Sequence, residues 1–112
     1  MSKLTMDAYQ EQASTTYTID DPGSPRSLAY TALGLSGEAG EVANKVKKIL
    51  RGDYEADAIR DDLASELGDV LWYLAMVARE FDLSLDEIAT ANLDKLASRK
   101  DRGVIKGSGD KR

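Results

Sequence analysis

The sequence predicts an all-α protein, a four-helix-type bundle with an antiparallel central helix pair that oligomerises through its helices. Three observations predict this. Both prolines among the 112 residues lie in "DDPGSPRS", so the rest of the chain carries no proline break. Apolar residues recur at steps of three and four along most of the chain, and no run alternates with the period of a strand. Helix-start signals, Ser24 before Pro25 and Ser84 with Glu87 three residues on, fall where the periodic segments begin.

A first short helix is predicted over about Met6 to Ala13, capped by Thr5, with Met6, Tyr9 and Ala13 on one face. After a polar loop, Ser24 and Pro25 open a long amphipathic helix carrying Leu28, Ala32, Leu35, Ala39, Val42, Val46 and Ile49, ended near Gly52. The third helix, about Asp57 to Phe81, has Ile59, Leu63, Leu67, Val70, Leu74, Val77 and Phe81 as its stripe. Trp72 and Met76 lie on its far side, so two buried faces are expected, one within the subunit and one, holding Trp72, against another subunit. The capping box of Ser84 and Glu87 starts a fourth helix running to roughly Lys100. Residues 101–112, basic and Gly-rich, are expected to be a mobile tail of one domain spanning 1–112.

Composition removes whole classes of chemistry. The chain has 15 basic and 20 acidic residues, a net charge of −5, and no concentrated basic face for a nucleic acid polymer. Histidine and cysteine are both absent, which excludes Ser-His-Asp catalysis, imidazole and thiolate metal sites, and a disulfide framework. Carboxylates with water are the ligands of hard cations such as Mg²⁺, Mn²⁺ or Ca²⁺. The longest apolar run, Val70 to Ala78, is too short to span a bilayer, so no membrane partner is expected and the expected location is the cytoplasm.

Two acidic pairs point to such a cation. Glu38 and Glu41 in "GLSGEAGEV", and Glu66 and Asp69 in "SELGDVLWYL", each lie three apart and therefore share a helix face. At about 100° per residue both pairs occupy the same edge of their stripes, and Asp62 lies on that edge too. A connection of a few residues makes the two helices antiparallel neighbours, which brings both edges to one side. Glu41 and Glu66 stand at similar heights, roughly 13 Å from the turn. Taken singly, each pair reads as an ordinary solvated helix edge, with Glu41 and Lys45 forming a helix ion pair. Matched across two helices, the self-repelling carboxylates call for a divalent cation to hold them ionised.

With "EAGEV" followed by "ELGDVLWYL", and later "NLDKLASRKDRG", the chain resembles the MazG-like nucleotide pyrophosphohydrolases of the all-α NTP pyrophosphatase superfamily, over about Leu4 to Arg112. The resemblance implies Mg²⁺-dependent hydrolysis of a nucleoside triphosphate between the α and β phosphates, with Mn²⁺ as a possible substitute. It implies Glu38, Glu41, Glu66 and Asp69 as metal ligands and catalytic carboxylates, one of them or a water-bound carboxylate orienting the attacking water, with Asp62 an outside candidate. Asn92 and Lys95 match the NxxK feature of that family. Lys95 and Arg99, one turn apart, are the cationic pair placed for substrate phosphates, their other reading being an exposed basic helix end that suits the dipole. Lys106 and the tail amides are an alternative to a disordered tail, closing over phosphates. Tyr73 falls on the acidic edge and is placed to line a base or ribose pocket.

Two rivals stay open. One is a narrower dUTPase-like or phosphoribosyl-ATP pyrophosphohydrolase activity within the superfamily. The other is a non-catalytic, metal-binding helical interaction module. A homodimer or homotetramer is expected, with the active site near a subunit interface and broad specificity.

Overall fold

The structure, a computed structural model, describes residues 3–112. Four α-helices form, α1 (Met6–Ser14), α2 (Pro25–Leu50), α3 (Arg60–Glu80) and α4 (Leu85–Asp101), with no strand among the described residues. Local chemistry sets their starts. Thr5 accepts from the Ala8 amide, Ser24 from Ser27 with Pro25 in the first turn, and Ser84 from Glu87. The third helix departs from its expected start at Asp57. Residues Ala56–Ile59 form a 3-10 turn without a side-chain cap, whose last residue, Ile59, is buried. Gly52 at φ +85° ends α2, as the sequence predicts.

The longest contact is between α2 and α3, and its pairs step in opposite directions along the two helices. Ser27 meets Glu80, Gly34 meets Tyr73, Glu38 meets Asp69 and Glu66, and Lys45 meets Glu66. Close approach is possible because the α2 side of this contact is small: Ser27 and Thr31 are fully buried, and a methyl group at Gly34 would overlap the Tyr73 ring. The expected centre of the α2 stripe is not the covered face, since Ala32, Ala39 and Val46 are exposed. Both helices are rotated so that their acidic edges turn toward each other.

A second correction concerns α3. Trp72 and Met76, expected against another subunit, pack within their own chain. Met76, Ala75, Ala78 and Leu85 form the buried core, surrounded by Tyr9, Ala13, Tyr17 and Trp72. The indole of Trp72, which is partly buried, donates to Ala13 O at 3.3 Å and Thr16 Oγ1 at 2.9 Å, which gives its N–H two acceptors. The face left open is instead part of the predicted stripe, Leu67, Leu74 and Phe81.

Helix α1 sits against α3 and α4 and joins them by polar contacts. The Gln10 amide donates to Ala75 O at 3.1 Å and Leu83 O at 3.0 Å, and its oxygen accepts from Leu85 N at 3.3 Å. The Asp7 carboxylate accepts from Ser84 Oγ at 2.7 Å and from Asp86 N at 3.0 Å, so α4 is capped by α1 as well as by its own serine. The radius of gyration is 17.0 Å, against about 13 Å for a compact chain of this length. No helix among the described residues is long and apolar enough to cross a membrane.

Candidate metal centre

Helices α2 and α3 bring three carboxylates together. Glu38, Glu66 and Asp69 each offer an oxygen within 4.8 Å of the other two. Octahedral Mg²⁺ with bonds of about 2.1 Å spans about 4 Å between opposite oxygens, so small side-chain rotations would close the cluster on such an ion. The donor set is all oxygen, which suits a hard cation. Burial pushes the Glu38 carboxyl up from its ordinary value, and the charges of Asp69, Glu66 and Glu41 push it the same way. A cation would relieve that repulsion, and the residues present fit one.

The other expected residues fall differently. Glu41 is exposed and outside the closest group, near enough for its charge to act on Glu38. Lys45 lies 3.9 Å from Glu66, so the cation expected beside Glu41 on its own helix reaches across to α3. Asp62 is exposed and stands apart from the three. Asn92 and Lys106 are exposed. Lys95 and Arg99 bind Asp110, with Lys95 Nζ at 2.8 Å and Arg99 Nη2 at 3.1 Å from Oδ1, and they hold its carboxyl below the usual range. Arg99 is only 6% exposed and also donates to the Asp110 carbonyl; its buried Nε has no partner among the described residues. Residues expected to form a mobile tail thus lie folded back on α4.

Two tyrosines, Tyr73 and Tyr9, border the cluster, and a third, Tyr30, packs on Tyr73. Tyr73, expected on the acidic edge, has its hydroxyl pushed up by a hydrogen bond with Tyr30, by burial, and by the charges of Tyr30, Glu38 and Asp69. The Tyr30 and Tyr73 ring centres are 6.4 Å apart, and Trp72 meets Tyr73 edge to face at 5.0 Å. Tyr9 of α1 is pushed up by burial and by Asp69. Sequence reasoning missed Tyr9 as a site neighbour and Tyr30 as the ring that packs on Tyr73. Tyr30 stands four residues from Gly34, the glycine that meets Tyr73, and this spacing is the available signal.

Fold and site together define an all-α protein with a carboxylate cluster, free of histidine and cysteine, that is able to hold a divalent cation. More particularly, the MazG nucleotide pyrophosphohydrolase domain matches residues 26–104, and the chain belongs to that family. Membership points to hydrolase activity of the nucleotide pyrophosphohydrolase type. The chain is also 51% identical over 115 aligned positions to the "Gene 37 protein" of Mycobacterium phage L5, an alignment covering 96% of this chain and 98% of that protein. No solved structure matches the chain. The family match covers α2, α3 and α4 and leaves out α1 and residues 105–112.

Proposed function

We propose that this protein hydrolyses nucleoside triphosphates, ribo or deoxyribo, between the α and β phosphates, releasing the monophosphate and pyrophosphate. The observation that carries the reading is the meeting of Glu38, Glu66 and Asp69 from two helices in a chain of the MazG family. Mg²⁺, with Mn²⁺ as substitute, would be held by these three with Glu41 completing the set. When bound, such an ion neutralises phosphate charge and polarises the anhydride. A carboxylate of the cluster orients water and takes its proton as the new P–O bond forms and the bridging bond breaks. No covalent nucleophile is needed, which suits a chain without histidine or cysteine. Asn92, Lys95 and Lys106 are assigned to substrate phosphates. Arg99, buried and bound to Asp110, acts through the segment it anchors. Tyr73, with Tyr30 packed on it, borders the nucleoside side of the cluster.

The reading includes an antiparallel α2 and α3 pair, supported by contacts that step in opposite directions, and a homodimer or homotetramer. The chain exposes 8342 Å², against about 6,100 Å² for a monomeric protein of its mass. Leu67, Leu74 and Phe81 are among the apolar side chains left open. The excess surface supports burial against further copies.

The test is pyrophosphate release from the eight common nucleotides plus dUTP, with Mg²⁺ and with EDTA, by wild type and Glu41→Gln. Metal-dependent release that falls at least about 100-fold in the variant is expected. The ranking across the panel names the substrate, because specificity is a ratio of kcat/KM values. Metal binding with no turnover of any nucleotide would sink the hydrolase reading and leave a metal-binding helical module.

A further inference from the structure

Residues 94–112 hold seven of the fifteen basic residues and three of the twenty acidic ones, so this stretch carries +4 in a chain of −5. Its charge is opposite to that of the carboxylate cluster, and its backbone is built around one side chain. The Arg112 guanidinium donates to three carbonyls, Nε to Val104 at 3.0 Å, Nη2 to Ile105 at 2.8 Å and Nη1 to Gly109 at 2.7 Å. Every described peptide is trans, and in a trans peptide the carbonyl and the following N–H point opposite ways. With these three carbonyls turned in, the N–H groups of Ile105, Lys106 and Asp110 face out. Among the described residues, none of the three N–H groups donates to a backbone acceptor.

The glycines make this wrapping possible. Gly107 takes φ +137° and Gly109 φ +89°, and a Cβ on Gly107 would come within 3.2 Å of Arg112 Cδ. Two ties fix the loop to α4: Asp110 on Lys95 and Arg99, and Arg102 Nη2 on Arg112 O at 2.9 Å. Outward amides in a Gly-rich turn, flanked by lysines, are the arrangement that attracts oxyanions.

We infer that residues 103–112, with Lys95 and Lys106, form a preorganised loop that binds a polyphosphate chain, with Arg112 its positioning residue. Arg112 shapes the loop from inside, and the amides and the two lysines meet the anion. That the anion is a polyphosphate rests on the nucleotide reading above.

The test is calorimetric titration of inorganic tripolyphosphate into the full chain in EDTA, where no cation links anion to carboxylates. Wild type is expected to bind one anion per chain. Arg112→Lys keeps the charge but gathers its donors on one nitrogen in place of the planar fork that reaches the three carbonyls, and is expected to weaken binding by roughly tenfold, with the helical circular dichroism unchanged. In Mg²⁺ turnover the same variant is expected to raise KM by a similar factor with kcat held within about twofold. Lys106→Ala is expected to weaken binding with the loop amides unshifted in NMR spectra. Absence of binding by wild type at millimolar anion, or equal affinity in Arg112→Lys, overturns the proposal. Because the titration is free of metal, its failure leaves the hydrolase reading standing, and loss of turnover in Glu41→Gln bears on that reading alone.

Discussion

Glu80, a carboxylate outside the acidic cluster, joins three separate segments. It accepts from the Tyr17 and Ser27 hydroxyls and from the Gly23 amide, tying the loop before α2 to the end of α3. Burial pushes its carboxyl up, but the donors Ser27, Tyr17 and Gly23, with Arg79 nearby, outweigh this and hold it below its ordinary value of 4.5. A carboxyl lowered in the fold contributes stability that is full above that ordinary value and is lost as pH falls through the folded one. Glu80→Gln is therefore expected to cost about 1–2 kcal/mol at neutral pH, and to flatten the fall of the melting temperature between about pH 5 and pH 3. An unchanged acid limb in the variant would show that another group carries it. Gly34→Ala drives a methyl into Tyr73 and is expected to lower stability by about 1–3 kcal/mol in urea unfolding. Glu38, Glu66 and Asp69 were legible in the sequence because their spacing is local. Glu80 was not, because its donors lie more than fifty residues away.

At the scale of elements, the caps at Thr5, Ser24 and Ser84 set the helix starts the sequence predicts, since each is a bond within three residues. The rotation of each helix was not legible, because the middle of α3, Val70 to Ala78, is apolar nearly all round and admits more than one docking. Small residues at Ser27, Thr31 and Gly34 decide it, drawing α3 onto that edge of α2 and leaving Leu67 and Leu74 open, at 51% and 38% exposure. The double variant Leu67→Glu, Leu74→Glu is therefore expected to run as a smaller species in light scattering, with its helical circular dichroism kept. Unchanged mass would place the subunit contact on another face.

The whole molecule is wider than its length requires, and its core of Ala75, Met76, Ala78 and Leu85 is small. Much of its stability is thus expected from association and from bound cation. The melting temperature should rise with protein concentration, and saturating Mg²⁺ at about 100 Kd should add about 2.7 kcal/mol. Glu38→Gln should remove the cation's share while keeping the concentration dependence; loss of both together would mean that the cluster and the subunit contact are one structure. By itself the sequence determined the all-α class, the starts of α1, α2 and α4 and the acidic pairs, because these depend on periodicity and on bonds between near neighbours. Only the tertiary structure decided which face of α3 is covered, that Trp72 packs inward, and that Asp110 occupies Lys95 and Arg99. Those outcomes follow from shape and charge meeting across long sequence separations, where small residues permit approach and the opposite charges of Asp110 and the Lys95–Arg99 pair attract.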